Sequence, residues 1–209
     1  MEWGYLERNP VTGIGLLKLP PQEFAFWDTA QSERFLSVLQ TTEPAHYLFF
    51  LTALRTGMRM GELVALEWSN VDLVRGRVHV RWSVHRGDRT GPKNGRGRSI
   101  PLSPRLAEAL ATRRGGGVSP LVFPDRRGGF LTRDKVKRPM WRATERAHLP
   151  RIRFHDLRHS FASQLVMAGV PLVAVQQYLG HAGMAMTLRY SHLSPAAERD
   201  YINVLDGDG

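Results

Sequence analysis

The sequence predicts a domain that is mainly α with a small antiparallel β-sheet (α+β). Apolar residues recur at helical spacing in segments spread along most of the 209 residues. One stretch, Arg77 to Val84, alternates strictly instead, with Val78, Val80, Trp82 and Val84 on one face and His79, Arg81 and Ser83 on the other. Turn signals follow it at Gly87-Asp88 and Asn94-Gly95, which folds the region into short antiparallel strands ending at Arg98 to Leu102. No internal repeat is present.

Taken in order, residues 1–26 are rich in Pro and Gly without periodicity and read as a linker or lead-in. Asp28 or Thr29 then caps a helix whose apolar side carries Phe35, Leu36, Val38 and Leu39. Pro44 suits the first turn of a second helix, Ala45 to Arg55, which is apolar nearly all round and is expected at the centre of the core. Gly57 stops it, and a short helix from Met60 to Glu67 follows. After the strands, Ser103-Pro104 opens a helix through Ala111, and Gly115 to Gly117 form a connector. Further helices are expected at about Arg133 to Ala147, His155 to Ala168, Leu172 to Leu179 and Pro195 to Val204.

Composition narrows the class of function. With 29 Lys and Arg against 19 Asp and Glu, the chain carries a formal charge of +10, which favours a polyanionic partner, nucleic acid above all. The basic residues are dispersed through the folded pattern rather than gathered in a tail, as a shaped basic surface requires. The absence of cysteine excludes disulfides, thiolate metal sites and a cysteine nucleophile. No apolar stretch approaches the roughly 20 residues that span a bilayer, and the start lacks a secretory signal pattern, so a cytoplasmic protein is expected.

The densest chemical cluster is His155-Asp156-Leu157-Arg158-His159. On a helix, His155 and Arg158 are three residues apart and face the same way, so an imidazole and a guanidinium converge on one anion. A rival reading takes His155 and His159 as zinc ligands. It is weakened by the lack of the Glu that a metalloprotease helix places after its first His. Leu179-Gly180-His181 and Thr187-Leu188-Arg189-Tyr190-Ser191-His192 follow. Taken singly, His181 reads as a capping histidine, Tyr190 as a packed aromatic, Arg59 as a surface arginine paired with Glu62, and Lys93 as a solvated loop lysine.

Together these segments resemble the catalytic domain of the tyrosine recombinase, or phage integrase, family. The resemblance runs from about residue 28 to residue 200. It is carried by Thr56-Gly57-Met58-Arg59-Met60-Gly61-Glu62-Leu63, Lys93-Asn94-Gly95 with Arg98-Ser99-Ile100-Pro101-Leu102, the His155 to His159 cluster, Leu179-Gly180-His181, and Tyr190. It implies a catalytic domain over residues 27–209, with residues 1–26 similar to the linker from an N-terminal DNA-binding domain that these residues do not include. It also implies that Arg59, Lys93, His155, Arg158 and His181 assist Tyr190 as nucleophile, with Glu62, Asp156 and His159 in support. No metal or other cofactor is implied. The resemblance further implies double-stranded DNA as the partner, bound by a homo-oligomer, a tetramer, at recombination sites, with a cytoplasmic location near the nucleoid.

These residue types suit phosphodiester chemistry. Two guanidiniums present planar forks to the non-bridging oxygens and His181 adds a hydrogen bond, so charge stabilisation needs no metal. A phenol has an ordinary pKa near 10 and needs a base or cationic neighbours to attack at neutral pH. His155 is the candidate base, and the resemblance makes Lys93 the acid for the leaving 5′ oxygen. The product that the resemblance implies is a 3′-phosphotyrosyl enzyme, whose retained bond energy would let strands rejoin without ATP. A type IB topoisomerase-like relaxing activity and a non-catalytic DNA-binding regulator are the alternatives; the complete catalytic set argues against the latter.

Overall fold

The computed structural model describes residues 24–91, 97–114 and 119–195. Lys93 with its turn, the Gly115 to Gly117 connector and the body of the expected C-terminal helix lie outside them. Among the described residues, no helix is long and apolar enough to cross a membrane.

Helix α1 (Thr29–Thr42) begins at a reciprocal cap: Asp28 Oδ1 accepts from the Gln31 N–H at 2.7 Å, and Gln31 Oε1 accepts from the Asp28 N–H at 3.0 Å. Helix α2 (Pro44–Thr56) has proline in its first turn and ends at Gly57 in the left-handed conformation. Its residues Leu48 to Leu54 are all buried, and it packs against α1, α4 (Pro104–Arg114) and α6 (Asp156–Met167). Burying every side of α2 makes it the axis of the main core, which also contains Trp27, Phe35, Leu36, Leu63, Val78, Ile100, Val136 and Leu157. Trp27 is wholly buried and locks the end of the lead-in to α6, its N–H donating to Ser160 Oγ and its carbonyl accepting from Gln164.

The β region departs from the expectation. The alternating stretch is not one strand: β2 (Arg77–Val80) belongs to a three-stranded antiparallel sheet ordered β1 (Val71–Asp72), β2, β5 (Arg98–Pro101), while β3 (Ser83–His85) pairs with β4 (Asp88–Thr90) in a separate two-stranded sheet. Pairing of β2 with β5 ends at Val80 opposite Arg98, so the next residues leave the sheet and build their own hairpin. Val78 and Val80 keep the buried face, but Trp82 is 39% exposed and lies under the Arg89 guanidinium at 4.2 Å. The hairpin turns on Arg86-Gly87, one residue earlier than the Gly87-Asp88 signal.

Helix α3 (Met60–Val64) is shorter than the span to Glu67, because the chain at Leu66 to Trp68 goes on to pair with residues 120–122. The later helices fall close to expectation: α5 (Arg133–Arg146), α6 and α7 (Leu172–Leu179). A further short helix, α8 (Ala185–Leu188), and a single 3-10 turn (Ser191–Leu193) bracket Tyr190. Below them sits a second, smaller core made of Phe161, Ala162, Val166, Val175, Leu179 and the ring of Tyr190.

Helices α2 and α7 end on left-handed glycines, Gly57 at φ +60° and Gly180 at φ +66°. A Cβ on Gly57 would lie 2.4 Å from Phe161 Cδ1, between the two cores. Gly57→Ala therefore combines left-handed strain with overpacking and is expected to lower unfolding free energy by roughly 2–5 kcal/mol. Urea denaturation of the two proteins measures this, and an unchanged midpoint would refute it.

Candidate active site

The first turn of α6 presents three neighbours. His155 occupies the position before the helix and is exposed, whereas Arg158 and His159 are buried. Arg158 donates from Nη1 to the Gly57 carbonyl at 2.8 Å and from Nη2 to the Leu179 carbonyl at 2.6 Å. Both acceptors sit at helix C-termini, where unpaired carbonyls gather negative potential. Two of five guanidinium N–H groups are thereby committed to the backbone, and the rest remain for the cleft beside it.

Arg59 stands at the start of α3 with its side chain 43% exposed. Glu62 holds it, accepting from the Arg59 backbone N–H at 2.7 Å and from Nη1 at 3.1 Å. The same carboxylate receives a two-pronged contact from Arg98 at 2.8 and 2.7 Å. Arg98 in turn donates Nε to the Tyr178 carbonyl at 2.7 Å, tying β5 to the end of α7 beside His181. Burial by itself would raise the Glu62 pKa, but the Arg98 hydrogen bonds and charge, with smaller help from the Arg59 N–H and Arg158, pull it below the ordinary value.

Tyr190 follows α8. Its ring belongs to the smaller core, and its hydroxyl lies 2.7 Å from His159 Nδ1. Burial raises the phenol pKa, with Arg158 and Arg189 pulling the other way. In the free protein desolvation thus outweighs the cationic neighbours expected to favour the phenolate. The imidazole on the hydroxyl is that of His159, not that of His155, the candidate base. His155 and His159 face each other edge to face at 5.2 Å. Among the described residues, no three His, Cys, Asp or Glu side chains gather as metal ligands do.

Arg59, His155, Arg158, His159, His181 and Tyr190 line one open cleft of about 770 Å³, and no Asp or Glu is among its described lining residues. His181 is anchored at 2.8 Å from Nδ1 to the hydroxyl of the buried Thr187. Asp156 does not contact the imidazoles by hydrogen bond; it binds Arg153 through the backbone N–H at 2.7 Å and the guanidinium at 2.9 Å, bracing the chain that enters α6. Lys93 lies outside the described residues.

Three contributors were not singled out by residue type. Arg98 stands in a recognisable motif, but nothing in its spacing reveals a partner 36 positions away. Thr187 stands three residues before Tyr190, a helical spacing that was the available signal. Phe24, in the aperiodic lead-in, stacks on His159 at 4.8 Å and meets the Tyr190 ring edge-on at 5.0 Å. No sequence pattern announces that contact.

Burial and cationic neighbours keep two of the cleft's imidazoles, His159 and His181, neutral. Burial, then His155 and Arg189, lower the His159 pKa to about 4; burial, then Arg158, Arg59 and Arg98, do the same for His181. Between pH 6.5, the ordinary value, and pH 4 the unfolded chain therefore binds more protons than the folded one. Their stabilising contribution is complete above pH 6.5 and is lost as pH falls toward 4. Glu62 extends the loss into more acidic solution, because a depressed carboxyl stabilises above its unfolded value of 4.5 and ceases to as pH falls through its folded one. Urea midpoints should fall across this window, less steeply in His159→Gln and His181→Gln. A flat wild-type profile would contradict the assignment.

Comparison with known proteins agrees with this architecture. A family model described as the phage integrase family matches residues 26–197. A shufflon-specific DNA recombinase of Escherichia coli is 30% identical over 195 residues, covering 92% of this chain and 46% of that protein. Tyrosine recombinase XerC of Roseiflexus sp. (strain RS-1) is 36% identical over 152 residues, covering 68% of this chain and 45% of that protein. The chain thus spans about half the length of these relatives. Among solved structures, the Tn1549 transposon integrase in complex with a circular intermediate DNA superposes with a TM-score of 0.76 at 23% identity, covering 87% of this chain and 66% of that one. The catalytic domain of bacteriophage HP1 integrase does so at 0.64 and 24%, covering 87% and 95%. With the family model matching most of its length and the same fold in these structures, the chain belongs to the phage integrase family.

Proposed function

We propose that this chain is the catalytic part of a site-specific tyrosine recombinase, which cleaves and rejoins DNA through a phosphotyrosine at Tyr190. One observation carries the reading: a tyrosine hydroxyl bonded to an imidazole beside a cleft lined by Arg59 and Arg158, with no carboxylate among its described lining residues. The relatives named as recombinases support strand exchange over a relaxing activity or a purely DNA-binding role.

In this reading the scissile phosphate sits against Arg59, the remaining N–H groups of Arg158, His155 and His181. These answer the charge that builds on its oxygens. The Tyr190 oxygen attacks phosphorus. As the new P–O bond forms, the phenolic proton becomes strongly acidic and passes to His159 Nδ1, the acceptor already at 2.7 Å. The 5′ oxygen departs with a proton from Lys93. Reversal by another strand's 5′ hydroxyl completes the exchange. Side-chain cations supply the stabilisation, so no metal is consumed in any step. Residues 1–26 serve as the lead-in, and residues 27–209 as the catalytic domain, which acts on double-stranded DNA in the cytoplasm at the nucleoid. Four copies assemble on a pair of sites.

A nicked duplex that loses its 5′ fragment traps the covalent adduct. Wild type is expected to form it in EDTA and Tyr190→Phe not at all. Arg59→Lys should slow it roughly a hundredfold or more, because an ammonium lacks the fork, and His159→Ala should slow it on the order of a hundredfold with little change in DNA affinity. Equal adduct from wild type and Tyr190→Phe would end the assignment. Native mass measurement on paired cognate sites should show four protomers; monomers at every occupancy would refute the assembly.

A further inference from the structure

We propose that Thr187 is a positioning residue whose hydroxyl holds His181 in the tautomer that carries its proton on Nε2, the nitrogen left to donate to a phosphate oxygen. The proposal rests on reading the cleft as a phosphodiester site, but the observations behind it involve no substrate.

Thr187 is fully buried, and its Oγ1 lies 2.8 Å from His181 Nδ1. A hydroxyl brings one hydrogen and needs an acceptor for it when sealed from water. The other buried helical threonines among the described residues find that acceptor in the carbonyl four residues back: Thr52 donates to Leu48 at 2.7 Å and Thr144 to Met140 at 2.8 Å. Thr187 makes no such bond, and the Gly183 carbonyl accepts instead from the Met186 N–H at 3.3 Å. Among the described residues the one acceptor for the Thr187 hydrogen is therefore His181 Nδ1. Were Nδ1 protonated, it would donate to Thr187 and leave the buried hydroxyl hydrogen without a partner, which biases the equilibrium about tenfold or more toward Nε2–H.

Tautomer matters here because the ring is neutral. Burial and the Arg158, Arg59 and Arg98 charges hold its pKa at about 4, so at neutral pH it has one N–H to offer. With Nδ1 taken by Thr187, that N–H falls on Nε2, across the ring from the Thr187 contact, in a side chain that lines the cleft. It also joins the phosphate donor to the nucleophile, since the Thr187 carbonyl accepts from the Tyr190 N–H at 3.0 Å. One residue thus sets the ring's proton and the turn that carries the phenol.

Thr187→Val removes the hydroxyl at constant shape, and Thr187→Ser keeps it. Nitrogen-15 NMR of the free proteins locates the His181 proton; cleavage of a nicked duplex at saturating DNA and the DNA dissociation constant are measured alongside. Wild type and Thr187→Ser should show Nε2–H. Thr187→Val should show mixed tautomers, and its cleavage rate should fall roughly tenfold to a hundredfold, less than loss of a whole phosphate donor, with affinity little changed. A wild-type proton on Nδ1, or a Thr187→Val protein with an unaltered tautomer and rate, overturns the proposal. If Thr187→Val fails to fold, the proton position in wild type and Thr187→Ser decides. Should wild type cleave no DNA, the reading of the cleft fails, while the location of the ring proton still tests Thr187.

Discussion

The architecture turns on one buried guanidinium. Arg158 reaches from α6 to the terminal carbonyls of α2 and α7, so three helices meet at a single charge. Burying a cation is costly unless hydrogen bonds replace its water, and two helix C-termini supply both acceptors and favourable potential. The two glycines are a consequence. Each lets its helix stop abruptly in a left-handed turn, and the carbonyl that Arg158 takes belongs to Gly57 in one case and directly precedes Gly180 in the other.

Concentrating positive charge has to be tolerated as well as achieved. Glu62 is the buried carboxylate that does this, linking Arg59 and Arg98 while its charge also reaches Arg158. The remaining positive field is relieved by keeping His159 and His181 neutral. A neutral imidazole carries its proton on one nitrogen and accepts at the other, so each ring depends on its hydrogen-bonded neighbour: Tyr190 for His159, Thr187 for His181. Tyr190 itself is held as a core residue, its ring packed in the smaller cluster and capped by Phe24. Burial raises its pKa further above neutrality, against the pull of Arg158 and Arg189.

Much of this was legible beforehand. The helix at Leu172 to Leu179, the core character of α2 and the α6 cluster follow from periodicity, because each depends on residues within one or two turns. The β region departs from its sequence pattern where local and distant pairing diverge. Alternation continues through Trp82, but among the described residues the pairing with β5 ends at Val80 opposite Arg98, and Ser83 to His85 turn to β4 instead. Likewise α3 stops short because residues 120–122 compete for its C-terminal backbone, a contact invisible to a local pattern.

By itself the sequence determined which chemical groups are present, which local elements carry them and what polyanionic partner suits them, since these depend on residue type and short spacing. The tertiary structure alone decided which imidazole meets the phenol, that Arg158 spends two donors on backbone, and that Glu62 is shared with Arg98. The reason is geometric. Hydrogen bonds form across ångströms between groups whose separation along the chain is arbitrary, and only the packing of the helices sets those distances.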